Sequence, residues 1–185
     1  TFLINSLSHC FGKQTYSDKH SARDNLLTAI LTFGEGYHNY HHEFSSDYRN
    51  GPRFFDWDPT KWIIKSLSFI GLTSHLKTIR EEIIVRKRWQ MTEKTLRQKL
   101  QKRNPAIIDN EWKALDQLKE KIESAFKHLT SLKNQYQDIK KAGQTILAQE
   151  VKSLKQEIAK AREQFFDLLK AWHDSQLRVF TLIAA

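Results

Sequence analysis

Cysteine and long apolar runs are the features that this sequence most clearly lacks. Its 185 residues include one cysteine, Cys10, which excludes a disulfide framework and a metal site built on cysteine thiolates. Any metal chemistry must therefore come from the eight histidines and their neighbours. No stretch reaches the roughly 18–20 apolar residues that a transmembrane helix needs. The longest apolar candidates, residues 26–33 and 62–72, are much shorter.

The start of the sequence limits what the lack of long apolar runs means. The chain begins at Thr1 without a methionine, inside an apolar run of four residues, and it shows no secretory signal peptide. We therefore expect a chain that is already in progress at its first residue. Residues 1–11 would then be the end of a spanning helix, and features missing from the sequence would lie upstream.

Glycine and proline are scarce outside residues 1–76, which hold five of the six Gly and two of the three Pro. Turn signals at residues 50–52 and 58–59 enclose the short aromatic segment 53–57, which we interpret as a loop lying on a larger body. Residues 21–32 are predicted to form a helix, and the next helix is predicted to begin at Pro59.

Basic charge is unevenly distributed along the chain. Residues 1–76 contain seven Lys/Arg and seven Asp/Glu, so the net charge of +9 belongs entirely to the residues that follow. Residues 77–103 alone hold ten Lys/Arg against three Glu. Such a block can face anionic lipid headgroups, nucleic acid or an acidic protein. It can equally be the solvated surface of a helix.

Residues 78–180 form a long, charged stretch that is nearly free of Gly and Pro, which predicts helices. After a basic helix over about 79–102, two apolar seams with heptad-like spacing follow, from Leu115 to Ile139 and from Leu147 to Trp172. The spacing shifts near Gly143, as at a stutter or a hinge. Two arrangements are open: association with a second copy, or a hairpin folded at Gly143.

The strongest local signal is the segment Gly34–His42. Its three histidines, His38, His41 and His42, stand at positions i, i+3 and i+4, which places their imidazoles on one face of a helix. Imidazole binds Fe, Zn, Cu or Ni, so the pattern predicts a metal site without naming the metal. The alternative is a solvated surface cluster.

A second pair strengthens the prediction of a metal site. Asn5 and His9 stand four residues apart at the end of the first apolar run, so they too share a helix face. Such a pair offers an oxygen and a nitrogen to a metal or to a metal-bound water. The alternative is that His9 is a packing residue.

These segments together resemble the acyl-CoA Δ9 desaturases, the stearoyl-CoA desaturase family. Residues 1–9 are similar to the end of that family's last transmembrane helix, and residues 23–42 to the segment that leads into its third histidine box, HxxHH. Residues 44–62 continue the similarity in the style of bacterial members. The resemblance covers about residues 1–77, and it implies the cytosolic C-terminal part of a mainly α membrane protein.

The resemblance assigns roles to individual residues. It implies that four histidines are ligands of a di-iron centre: His9, His38, His41 and His42. It further implies that Asn5 lies near one iron through a water, that Glu35 and Asn39 orient imidazoles, and that Thr1 lines the acyl tunnel. The remaining histidines match nothing in the family and are expected on the surface or in packing contacts: His20, His75, His128 and His173.

The activity that the resemblance implies is O₂-dependent insertion of a cis double bond, at Δ9, into a saturated acyl chain carried on CoA or on a membrane lipid. The implied partners are membrane lipids and a small acidic electron carrier, with no nucleic acid, and this segment would lie on the cytoplasmic side of the membrane. Since the first two histidine boxes are absent, we expect the chain alone to be inactive. A histidine-box hydroxylase or ketolase, and a non-enzymatic helical interaction protein, are the alternatives.

We therefore predict three parts. Residues 1–77 would be the C-terminal part of a desaturase domain, and residues 78–103 a basic helical linker. Residues 104–185 would be a coiled-coil-like helical extension, through which the protein could associate with a second copy.

Overall fold

A computed structural model describes residues 2–100, 109–142 and 148–184 of the chain. In these ranges the chain is mainly α-helical, which confirms the predicted fold class. The helices are α1 (Phe2–Cys10), α2 (Leu26–Leu31), α3 (His38–Glu43), α4 (Pro59–Phe69), α5 (Glu81–Leu100), α6 (Asp109–Ala142) and α7 (Ala148–Ala184). None of these described helices has both the length and the apolar character that a bilayer crossing requires.

The chain forms two compact units, Thr1–Lys99 and Leu100–Ala185. The first contains α1 to α5 apart from the last residue of α5, and the second contains α6 and α7. The functional boundaries predicted after residues 77 and 103 are not tested by this division and stay predictions.

Helix α2 is shorter than the sequence predicts, because its expected first residues are held in an extended conformation. The backbone of Asp24 pairs with Lys13 and with Tyr37 in two isolated antiparallel bridges. Asn25, still extended at φ −139° and ψ 119°, then caps the helix by accepting the backbone N–H of Thr28. The helix therefore begins at Leu26 and not near residue 21.

Helix α4 begins at Pro59, as predicted, with Asp58 as its cap. One carboxylate oxygen of Asp58 accepts the backbone N–H of Lys61 at 3.0 Å, and the other accepts the N–H groups of Asn50 and Gly51. Both oxygens of this fully buried side chain are therefore used. Asp58 fixes the start of the helix to the preceding turn.

The ammonium group of Lys61 holds the aromatic loop 53–57 against α4. It donates to the carbonyl oxygens of Gly51, Arg53 and Asp56 at 2.7, 2.6 and 3.1 Å. Burial lowers the pKa of Lys61, and the three carbonyls satisfy all three of its donors. The adjacent rings of Phe54 and Phe55 are 81% and 90% exposed, so backbone carbonyls rather than aromatic packing anchor this loop.

The core of the first unit joins α3 to α5. Tyr16, Tyr40, Phe44 and Ile84 form a buried cluster, in which the rings of Tyr40 and Phe44 have centroids 4.9 Å apart. Ile84 belongs to α5, so the basic helix predicted as a linker contributes to the core beside the histidine-bearing helix.

The carboxylate of Asp47 stabilises this core through hydrogen bonds. It accepts the phenolic O–H of Tyr40 at 2.7 Å and the backbone N–H of Ile79 at 2.8 Å, and the guanidinium of Arg49 contacts both of its oxygens. Burial alone would raise the pKa of Asp47, but Arg49 and the N–H donors outweigh burial and hold this pKa below its usual value.

We predict that Asp47→Asn destabilises the first unit by about 3 kcal/mol, because it leaves a largely buried guanidinium without its charge partner. The folded pKa of Asp47 lies below the ordinary 3.8. Its contribution is therefore present above that pH and is lost as the pH falls through the folded pKa. Hydrogen exchange of α3 and α5 between pH 3 and 6 measures both effects. Equal exchange in the two proteins across this range would contradict the assignment.

The second unit is a helical hairpin in which α6 packs against α7. Residues of the predicted first seam are buried, among them Leu115, Ile122 and Leu129. They share the hairpin with buried Ala161, Phe165 and Trp172 of the second seam. Of the two arrangements left open, the described helices adopt the intramolecular one. Gly143 and Leu147 lie outside the described residues, and association with a second copy stays a prediction.

Phe165 is the central test of this hairpin, because its side chain is fully buried and its ring lies 5.8 Å from that of Phe126. We expect Phe165→Ala to destabilise the second unit by about 3–5 kcal/mol. Leu177→Ala, at a position 51% exposed, is the matched control and should have little effect. Hydrogen exchange of α6 and α7 in urea compares the two variants. Similar losses in both would mean that Phe165 is not a core residue.

Candidate metal centre

The carboxylate of Asp24 starts the helix that carries the histidines. Helix α3 has no side-chain cap from its own N-cap residue, Tyr37. One oxygen of Asp24 instead accepts the backbone N–H groups of Asn39 and Tyr40 at 2.9 and 3.1 Å. Burial raises the pKa of Asp24, and these N–H donors oppose the rise. Asp24 thus fixes α3 from a position fifteen residues away in the sequence.

The glycines before α3 allow a close approach of two backbones. The backbone N–H of Asn25 donates to the carbonyl of Gly36 at 2.9 Å. A Cβ atom added to Gly36 would lie 2.0 Å from the backbone nitrogen of Ala29, closer than any side chain permits. Gly34 adopts φ +108°, a conformation that favours glycine. The segment Gly34–Gly36 is therefore required by the packing that leads into the histidine helix.

Three imidazoles converge between α1 and α3. The Nε2 atom of His38 lies 3.2 Å from Nε2 of His9 and 3.2 Å from Nε2 of His42. One ligand atom from each of the three residues lies within 4.8 Å of the others. These three residues are called the histidine trio below.

The spacing between the ligand nitrogens of the trio fits a metal ion. A metal ion about 2.1 Å from each nitrogen places neighbouring ligand nitrogens about 3.0–3.4 Å apart, from octahedral to tetrahedral angles. The two observed spacings of 3.2 Å fall in this range. Neutral imidazoles suit several first-row metals, so the donor set is compatible with iron without selecting it.

The electrostatics of the trio favour the metal-binding form of histidine. Burial, together with the neighbouring imidazoles, lowers the pKa of His38 to about 4. Burial and the surrounding imidazoles also lower the pKa of His42. Both residues are therefore neutral near pH 7, and a neutral imidazole is the form that donates a lone pair to a metal.

His41 lies beside the trio and not within it. Its ring is exposed, with its centroid 6.2 Å from that of His38 and 5.9 Å from that of His42. The structure thus brings together three of the four predicted histidine ligands. The role of His41 as an iron ligand stays a prediction.

The other predicted site residues are distributed differently. Thr1 lies outside the described residues, and so does the side chain of Asn5, although its backbone belongs to α1. Glu35 is exposed, and its carboxylate accepts a hydrogen bond from the side-chain amide of Asn50 at 3.3 Å. The roles predicted for these three residues are not tested.

Asn39 is fully buried, and its side chain organises the loop over residues 16–22. Its oxygen accepts the N–H groups of Tyr16 and Ser17, and its amide donates to the carbonyls of Ser17 and Ala22. These four bonds are made to the loop backbone, and the role of Asn39 in orienting imidazoles stays a prediction.

The same loop supplies two site residues that sequence reasoning missed. The hydroxyl of Ser21 lies 2.8 Å from Nδ1 of His9, where it can fix the ring orientation of a metal ligand. The ring centroid of His20 lies 4.9 Å from that of His42. No spacing in the sequence indicates either residue, because both reach the site through the fold of the loop. The other unmatched histidines, His75, His128 and His173, are exposed as expected.

The geometry defines a histidine cluster that could hold a metal ion, and the comparisons show which proteins the chain is similar to. No family model matches the chain. It is 46% identical over 111 residues, 59% of its length, to acyl-CoA desaturase 1 of Saccharomyces cerevisiae. It is 44% identical over 88 residues, 46% of its length, to a Δ9 fatty-acid desaturase of Caenorhabditis elegans. A chloroplastic palmitoyl-monogalactosyldiacylglycerol Δ7 desaturase of Arabidopsis thaliana is 39% identical over 77 residues, 42% of the chain.

These relatives confirm the resemblance of the matched part of the chain to the acyl-CoA desaturases. The chain spans 22%, 26% and 21% of the length of the three relatives. The bacterial style of residues 44–62 is not tested by these eukaryotic proteins.

We predict that His38→Ala lowers the Co²⁺ affinity of the 185-residue chain by more than about 100-fold. The reason is that His38 is the trio member close to both others, and loss of a ligand exceeds the 10–100-fold effect of an outer-shell partner. His41→Ala should lower the Co²⁺ affinity less, and His75→Ala should leave it unchanged. Competitive titration against a chromophoric chelator measures all three variants. Equal losses for His38→Ala and His75→Ala would show that cobalt binds the histidines without selectivity.

Proposed function

We propose that this chain is the part of a membrane di-iron acyl desaturase that supplies the third histidine box and its neighbouring histidine. The observation that carries the proposal is the convergence of His9 from α1 with His38 and His42 from α3. It occurs in a chain with up to 46% identity to named desaturases. The polypeptide to which the chain belongs would introduce a cis double bond into a saturated acyl chain.

The metal of this proposal is a pair of iron ions, held by the trio together with His41 and by ligands from the two histidine boxes that the chain lacks. Iron with O₂ supplies the oxidising power needed to remove hydrogen from an unactivated methylene. This chain would contribute by orienting the imidazole ligands. Asp24 fixes the start of α3, Ser21 fixes the ring of His9, and burial keeps His38 neutral. Asn5 is proposed to act near one iron through a water.

The proposed substrate is a saturated acyl chain carried on CoA, with a membrane lipid as the alternative carrier. The names of the relatives show why both carriers are retained. The yeast relative is named an acyl-CoA desaturase, whereas the Arabidopsis relative is named for a lipid-linked palmitoyl substrate. Their positions also differ, since the names specify Δ9 in the nematode protein and Δ7 in the plant protein. We propose Δ9, the position in the family resemblance.

The proposed location is the cytoplasmic face of a membrane, where a small acidic carrier would deliver electrons. The basic block supports an acidic partner only in part, because some of its charge is paired internally. Lys87 of α5 forms an ion pair with Glu43, and Lys94 forms one with Asp18. The basic residues of α5 left over from such pairs would attract the carrier in a salt-dependent manner.

A domain exchange tests the proposed activity. Residues 1–99 of this chain would replace the corresponding segment of the S. cerevisiae acyl-CoA desaturase 1, in a host without acyl desaturation of its own. We expect monounsaturated acyl chains, because the exchanged segment would complete the histidine set. The His38→Ala exchange should return the host background, while His75→Ala should retain product. Gas chromatography with mass spectrometry identifies the product and its double-bond position.

Two results would contradict the proposal. The first is a stably expressed exchange protein that contains iron and yields no unsaturated product. The second is a hydroxylated or ketonised acyl chain as the main product, which would favour the hydroxylase or ketolase alternative. Expression of the 185-residue chain alone should give no product, since it lacks the first two histidine boxes.

A further inference from the structure

A fourth imidazole lies against the histidine trio. The ring centroid of His20 lies 4.9 Å from that of His42, and the two ring planes are inclined by 39°. His20 comes from the loop between α1 and α2, whereas His42 comes from α3. The HxxHH spacing therefore gives no indication that His20 would be there. Its nitrogens are not among those that converge within 4.8 Å, so His20 stands at the edge of the trio.

Both ring nitrogens of His20 are buried and have no hydrogen-bond partner among the described residues. Buried polar atoms in folded proteins are nearly always satisfied, and an exception points to a missing water or ion. A neutral imidazole needs one donor and one acceptor interaction. Neither is provided here, although three other imidazoles lie nearby. A metal ion would satisfy one nitrogen by direct coordination.

Hydrogen bonds hold the loop on which His20 lies. The side-chain amide of Gln14 donates to the carbonyl of His20 at 2.6 Å. The next residue, Ser21, contacts His9 through its hydroxyl, and the carbonyl of Ala22 accepts from Asn39. Before His20, the backbone N–H groups of Tyr16 and Ser17 donate to the side chain of Asn39, so the loop is attached to the metal site on both sides of His20. With its ring centroid already 4.9 Å from that of His42, coordination by His20 requires a side-chain rotation.

We propose that His20 is an additional metal ligand that joins the trio when a metal ion is bound. This inference rests on the metal centre of the proposed function and adds to it a nitrogen donor outside the histidine-box pattern. A competing explanation is that His20 only packs against His42 and holds its ring in place. The two roles differ in whether the nitrogens of His20 are needed.

Two substitutions separate these roles. His20→Phe keeps a planar ring for packing against His42 and removes both nitrogens, whereas His20→Ala removes ring and nitrogens together. If His20 is a ligand, both variants should bind Zn²⁺ more than about 100-fold more weakly than the unmodified chain, a loss larger than the roughly 10–100-fold effect of an outer-shell partner. If it only packs, His20→Phe should retain its affinity. His75→Phe, at an exposed histidine, is the control for an added phenyl ring.

Nitrogen NMR of the 185-residue chain gives a direct readout. Long-range ¹H–¹⁵N spectra with one equivalent of Zn²⁺ should move a ring nitrogen of His20 to the metal-bound region, together with those of His9, His38 and His42. The His20 signal is assigned by its loss in His20→Phe. A shift of the trio without a shift of His20 overturns this inference alone. The absence of any shift in the trio overturns the metal centre as well.

Discussion

The start of the histidine helix depends on the half-buried carboxylate of Asp24. A helix of six residues makes few internal hydrogen bonds, so α3 cannot fix its own start. Asp24 supplies the missing acceptor with its side chain, while its backbone pairs with Lys13 on one side and with Tyr37 on the other. The end of α1, the start of α2 and the start of α3 are thereby held at one residue. His9 meets His38 because these three connections coincide.

A second layer of the structure holds α3 from its other side. Tyr40 and Phe44 face the core, opposite the histidines, and Tyr40 reaches Asp47 through its hydroxyl. Residues four apart on a helix share a face. The side chains of His38 and His42 therefore lie toward the site, and those of Tyr40 and Phe44 lie toward the core. Asn39, between the first two, anchors the loop that carries Ser21. His38 and His42 of this short helix form the site, whereas Asn39 and Tyr40 support it.

Local patterns were predictable because their causes are local. The start of α4 follows from Asp58 and Pro59, since a carboxylate cap and a proline at the first helical position act within one turn. The apolar seams of α6 and α7 predicted two long helices for the same reason. The i, i+3, i+4 spacing placed three histidines on one helix face, but it could not show that His38 and His42 lie close to His9 while His41 lies beside them. That arrangement depends on how α1 approaches α3, which is a tertiary contact. The contacts of Ser21 and His20 were missed because loop residues carry no periodicity.

The division of the chain into two units determines how its thermal unfolding is described. Each unit has its own buried side chains, Tyr40 in the first and Phe165 in the second. A melting temperature for the whole chain therefore combines two free energies of unfolding, and the two-state description applies to each unit separately at most. A bound metal ion stabilises a folded state in proportion to the logarithm of its concentration relative to its dissociation constant. Added metal should consequently raise the transition of the first unit in a calorimetric scan and leave that of the second unchanged, since all members of the trio lie in the first unit.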